Sequence, residues 1–171
     1  PEMKAYTIYV DGISKSLSAT GVRVSWSMGP QFIIDKMKAI LTHVGAWAPK
    51  AEQVASAKYL ADLKTYAAFL EVQKKKISER LDGFYKGITQ LKNEGHKVNA
   101  IAPQAAIYLT VQFELHGKKT AEGKILESTK DVTKYLLDEA KLAIVPFYAF
   151  GASANSSWYR LSVGTCKMED V

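Results

Sequence analysis

The stretch DGISKSLSATGVRVSW, Asp11 to Trp26, sets Lys15 between Ser14 and Ser16, adds Ser18 and Thr20, and turns at Gly21 shortly before Arg23. The glycine supplies a permissive turn. Hydroxyls and an arginine together offer the donors that hold a phosphate. A positive neighbour and partial desolvation both depress a lysine's pKa, and the neutral amine that results is a nucleophile of the kind that forms Schiff bases. A solvated loop lysine is compatible with the same residues, so the stretch alone leaves both readings open. It is not a Walker phosphate loop, because the glycines that precede Gly-Lys-Ser/Thr are missing.

The flanks place this lysine in the chain. AYTIYV, from Ala5 to Val10, is β-branched and aromatic and predicts a strand running into Asp11-Gly12; VRVSWSM, from Val22 to Met28, alternates and predicts a second. Lys15 therefore belongs to an exposed connection between strands. Pro30 opens a helix in which Ile33, Met37, Ile40, Leu41 and Val44 recur until Gly45, and Pro49 opens another. From Glu52 the pattern stays helical through Phe69, Ile77, Leu81, Phe84, Ile88 and Leu91 to Gly95, with a break expected between Leu70 and Lys76. AAIYLTVQFEL (105–115) predicts a strand, HGKKTAEG a polar loop, and Asp131 the N-cap of the helix VTKYLLDEA. LAIVPF and YRLSVG predict two further strands. Alternating strands and helices give an α/β or α+β class, with a boundary in the long helix that joins two parts.

Composition narrows the function classes. With 47% hydrophobic and 23% charged residues in 171, the chain can bury a core and is not of disordered composition. No run reaches the roughly 18 apolar residues of a membrane span, and no signal peptide opens the chain, so the expectation is a soluble, cytoplasmic protein with no membrane partner. The lone Cys166 forms no internal disulfide, and His43, His96 and His116 are scattered, so no metal site is expected. The net charge of +6 raises nucleic acid as a partner. The only basic run, Lys74 to Lys76, reads as the solvated face of a helix, so no nucleic acid is expected.

The lysine segment, with Arg23 eight residues after Lys15, resembles the lysine signature of class I/II aminotransferases, the aspartate aminotransferase-like group of pyridoxal-phosphate enzymes. Three further blocks follow in the family's order. GAWAPKAEQVASA resembles the loop and helix after the lysine strand, APQAAIYLTVQFEL the strand entering the small domain, and LAIVPFYAFG with SSWYRLSVG its closing part. The resemblance implies a partial PLP-dependent transferase fold, α/β with an α+β small domain. Residues 1–75 would be the C-terminal part of the cofactor-binding large domain, 76–98 the interdomain long helix, and 99–171 the small domain without its last helix.

By the same resemblance, Lys15 is the lysine that links to pyridoxal 5′-phosphate and shuttles the substrate proton, Arg23 clamps the cofactor phosphate with Ser14 assisting, and Arg160 grips the substrate α-carboxylate. Amino acids and 2-oxo acids are then the substrates, and the full-length enzyme a homodimer. A lyase or decarboxylase of the same fold would keep all these residues, whereas a cofactor-free basic interaction or nucleic-acid-binding module would need none. Two positions depart from the family. Ser25 stands where a glycine or alanine is usual, and Gly12 where some relatives carry a phosphate-binding serine. Tyr108 and Phe150 lie in blocks that approach the family's active site, yet core packing is the expectation for both. The family's phosphate loop, stacking ring and pyridine-nitrogen aspartate all precede the lysine, so the chain is expected to be an inactive C-terminal piece of such an enzyme.

Overall fold

The computed structural model describes residues 2–171. They fall into two compact units, Pro1–Gln73 and Lys74–Val171.

In the first unit, β1 (Tyr9–Gly12) pairs antiparallel with β2 (Ser25–Met28). Both strands begin later than their β-branched composition predicts. Ala5 and Tyr6 lie in a 3-10 turn, Glu2–Tyr6, braced by the Thr7 hydroxyl donating to the Met3 carbonyl at 2.8 Å. Arg23 has φ of 60°, and this left-handed residue interrupts the alternation of VRVSWSM, leaving β2 to start at Ser25. The connection holds a single turn of helix, α1 (Ile13–Ser16), and a 3-10 turn, Thr20–Val22. α2 (Gln31–Val44) ends where Gly45 takes φ of 69° and donates its N–H to the Leu41 carbonyl at 2.9 Å. α3 (Lys50–Ala61) follows Pro49.

The expected break between Leu70 and Lys76 is not there. α4 (Leu63–Asn93) is continuous over 31 residues, and the break falls at Asp62. Asp62 accepts the Thr65 N–H at 3.1 Å and the Thr65 hydroxyl at 2.7 Å, starting a new helix, whereas Leu70 to Lys76 hold neither glycine nor proline to stop one. Lys74, Lys75 and Lys76 are exposed on α4, as a solvated face requires.

Burial in the first unit is sparse. Among its described large apolar side chains only Ile13 and Val24 are buried, while Tyr6, Val10, Phe32 and Val44 are exposed. Among the described residues, β1 and β2 pair only with each other.

The second unit has a four-stranded antiparallel sheet in the order β3-β4-β6-β5, built from β3 (Val98–Ala100), β4 (Tyr108–Phe113), β5 (Val145–Pro146) and β6 (Trp158–Ser162). Leu109 and Val111 of β4 with Tyr159 and Leu161 of β6 point to one face. There they pack with Val132 and Leu136 of α5 (Thr129–Asp138) and with Leu81 and Ile88 of α4. Each such side chain contributes about 1.5–3 kcal/mol by leaving water.

Two sequence expectations are corrected here. The N-cap of α5 is Ser128, not Asp131: the Ser128 hydroxyl accepts the Asp131 N–H at 3.2 Å while the Asp131 carboxylate accepts the Ser128 N–H at 3.1 Å. Asp131 is the third helical residue of a capping box. LAIVPF pairs only through Val145 and Pro146, since proline brings no N–H to the ladder and Phe147–Phe150 turns into a 3-10 helix. No helix among the described residues is long and apolar enough to cross a membrane, and no group of three or more His, Cys, Asp or Glu converges on a metal position.

Candidate functional site

Lys15, Ser14 and Arg23 share the connection between β1 and β2. Lys15 lies in α1, exposed, and among the described residues its amine has no hydrogen-bond or ion-pair partner. A helix of one turn cannot sustain itself, so its backbone is held from outside. The Ser16 hydroxyl donates to the Gly12 carbonyl at 3.3 Å, the Thr20 hydroxyl to the Ser14 carbonyl at 3.2 Å, and Gln73 Nε2 of α4 to the Lys15 carbonyl at 3.1 Å. Ser14 is half-buried beside them. Arg23 is exposed and spends one N–H inside the loop, from Nη1 to the Thr20 carbonyl at 3.0 Å. The rest of its fork makes no other hydrogen bond among the described residues. Upstream, Asp11 accepts from the Tyr9 hydroxyl at 2.7 Å and from the Gly12 N–H at 2.7 Å, and these bonds, the tyrosine's first, hold its carboxyl below the usual range.

The two departures at Gly12 and Ser25 are one feature. These residues face each other across the β1–β2 ladder, and a Cβ on Gly12 would lie 2.9 Å from the Ser25 Cβ and 3.0 Å from the Val24 carbonyl oxygen. Gly12 is extended, with φ of −173°, so packing against the partner strand dictates glycine here. The bulk absent on one strand is present on the other.

Arg160 belongs to the second unit. Strand alternation sends Tyr159 and Leu161 into the core and Arg160 to the opposite face. Thr110 pairs with it directly on β4, which places Tyr108 on the diagonal, on the same face. Phe150 comes from the 3-10 turn that Gly151 closes at φ of 91°, and its ring meets Phe147 edge to face at 6.1 Å. The Arg160 guanidinium carbon stands 4.4 Å from the Tyr108 ring centroid and 4.4 Å from that of Phe150. Each contact is worth about 0.5–2 kcal/mol. Arg160 Nε is buried, and among the described residues no acceptor reaches it. A guanidinium in contact with two aromatic rings, with an unpaired buried donor, is a feature that a folded core does not by itself require.

These two clusters sit in a chain that matches, over residues 1–171, the model of the family described as aminotransferase class I and II. The chain belongs to the class I and II aminotransferase family. Its similarity to individual members is distributed along the whole length. It is 31% identical over 179 residues to a protein of Rickettsia bellii named as a probable aspartate/prephenate aminotransferase, covering 100% of this chain and 40% of that one. An aspartate aminotransferase of Rhizobium meliloti is 29% identical over 99% of this chain and 39% of its own. The crystal structure of the aspartate aminotransferase from Rhizobium meliloti superposes with a TM-score of 0.80 at 26% identity, covering 99% of this chain and 40% of that one. That of the aromatic aminotransferase from Pyrococcus horikoshii gives 0.80 at 26% identity, over 97% and 40%. The chain thus spans about 40% of the length of the relatives it matches.

Core packing was the sequence expectation for Tyr108 and Phe150, and it fails for both. Phe150 is 51% exposed, and Tyr108 lies on the strand face opposite the core residues Leu109 and Val111. The signal was available in part, because Tyr108 and Arg160 share a strand-face parity once β4 and β6 are paired. The contribution of Gln73, 58 residues from Lys15, had no sequence signal.

Proposed function

We propose that the complete protein carrying this chain is a pyridoxal-phosphate-dependent aminotransferase that moves an amino group between an amino acid and a 2-oxo acid. The observation that carries this reading is Arg160: a guanidinium held between Tyr108 and Phe150 with its Nε unpaired, in a chain of this family.

The residues present fit the cofactor. Lys15 offers an exposed amine, Ser14 a hydroxyl beside it, and Arg23 an exposed fork with one N–H engaged. Arg23 and Ser14 bind the phosphate group, the guanidinium through paired, charge-assisted bonds. When bound, pyridoxal 5′-phosphate supplies the electron sink that stabilises negative charge at the substrate α-carbon. Lys15 Nζ would be the amine that holds the cofactor and, when free, the general base and acid that takes the substrate α-proton and returns it. Arg160 receives the substrate carboxylate in bidentate fashion, and the flanking rings fix the plane in which it is received. Orientation of this kind removes much of the entropic barrier to proton transfer.

The test is to incubate the complete protein with pyridoxal phosphate, reduce with borohydride, and map the modified residue by mass spectrometry while assaying amino transfer across several amino acids. Modification at Lys15 with transfer to a 2-oxo acid supports the reading. Modification with release of carbon dioxide or of a β-substituent instead would make the protein a decarboxylase or lyase of the same fold. The reading also carries a homodimer for the complete protein and a cytoplasmic location, which sedimentation and cell fractionation measure.

A further inference from the structure

The single turn that presents Lys15 is stabilised by three side-chain donors, and two of them, Ser16 and Thr20, lie within the same loop. The third comes from α4. Gln73 is half-buried, and its Nε2 donates to the Lys15 carbonyl at 3.1 Å and to the Ser18 hydroxyl at 2.8 Å. The Ser18 N–H also donates to the Lys15 carbonyl, at 3.3 Å, so both lone pairs of that oxygen are engaged. Ser18 has φ of 51°, an uncommon conformation for a residue with a side chain, which persists only where surrounding contacts over-determine it. Gln73 grips both sides of this bend, on the carbonyl that precedes it and on the hydroxyl of the bent residue itself.

We infer that Gln73 is a positioning residue for Lys15: one amide anchors the turn that carries the reactive amine to the long helix α4. The inference rests on the reading of Lys15 as that amine. The local bonds from Ser16 and Thr20 move with the loop, whereas the bond from Gln73 refers the Lys15 peptide to a helix of 31 residues. A primary amide suits this task. It carries no charge to compete with the phosphate that Arg23 serves, and one nitrogen brings two donors to two acceptors.

The experiment uses the complete protein as wild type, Gln73→Ala and Gln73→Met, the last keeping side-chain volume while deleting both donors. Hydrogen exchange over residues 13–22 is followed without cofactor, and steady-state kinetics with it. Loss of the anchor is expected to speed exchange at Leu17 and Ser18 about tenfold with other regions unchanged, and to lower kcat roughly 10- to 100-fold at little-changed KM, as small misplacements of a catalytic group do. Unaltered exchange and kcat in Gln73→Met overturn the anchor. If Gln73→Ala loosens the whole unit, Gln73→Met decides by the same readouts. Borohydride trapping on wild type separates the two ideas: if Lys15 is not modified there, the catalytic reading falls, and the exchange rates alone judge the anchor.

Discussion

Replacing Arg160 by lysine keeps the charge and removes the geometry. The guanidinium carbon lies 4.4 Å from the Tyr108 ring centroid and 4.4 Å from that of Phe150, so the two rings restrict how the fork can turn. A lysine ammonium is a point charge that cannot fill the slot on both faces or offer two parallel N–H groups. One lost charge-assisted bond costs about 1.5–3 kcal/mol. One weakened ring contact adds about 0.5–1 kcal/mol. The sum of about 2–4 kcal/mol corresponds to a fall of roughly 30- to 700-fold in kcat/KM. The assay is amino transfer by the purified complete protein with amino acid and 2-oxo acid varied separately, alongside a titration with pyridoxal phosphate. The loss is expected mainly in KM for both substrates, with cofactor affinity changed less than about threefold. A fall in kcat/KM under about threefold, or equal losses of substrate and cofactor affinity, would refute the assignment and leave Arg160 a structural residue.

Lys15→Ala in the complete protein should abolish amino transfer with the fold retained, because it removes the covalent link and the proton carrier together; circular dichroism and turnover measure both, and substantial residual turnover would take Lys15 out of the mechanism. Gly12→Ala should destabilise the first unit by about 1–3 kcal/mol through the contact with Ser25, and Ser25→Gly in the same chain should recover much of it; denaturation of the four members of this cycle measures the coupling, which is absent if the strands simply move apart. The Asp131 carboxyl is held below its ordinary value by the Ser128 hydroxyl first and by Lys124, so its contribution is present at neutral pH and lost as the pH falls through the lowered value. Asp131→Asn should therefore lower the unfolding midpoint at pH 7, and the gap to wild type should close below about pH 4; a gap independent of pH would show that the carboxylate's charge plays no part.

Much of the helical structure was legible because it follows from local rules. Pro30, Pro49, Gly45 and the spacing of Ile77, Leu81, Phe84 and Ile88 mark helices by steric and periodic constraints that need no tertiary information. The misplaced break illustrates the limit. A loosening of apolar periodicity near Leu70 to Lys76 reflects only which face meets the core, whereas the actual break depends on two hydrogen bonds that Asp62 accepts from Thr65. The same holds for α5, where Ser128 and Asp131 are both good caps and the reciprocal bonds decide their roles. Strands suffered more. β3 has three residues and its identity comes from pairing with Val111 to Phe113, and LAIVPF has strand composition with a proline that stops the ladder.

The candidate site divides along the same line. Lys15, Ser14 and Arg23 are close in sequence, so a motif can carry them. The clamp on Arg160 is assembled by the register Thr110↔Arg160, which sets Tyr108 on the arginine's face, and by a turn that returns Phe150 from ten residues upstream. An aromatic residue amid apolar neighbours reads as core in sequence because strand parity alone decides which way it points, and parity is fixed only when the partner strand is known. Once it is known, the inference runs the other way. Tyr108 and Arg160 share the face opposite the core, and that face keeps a buried guanidinium N–H with no acceptor among the described residues, a costly arrangement. The sheet thus holds Arg160 and Tyr108 together on the side that its own core does not use.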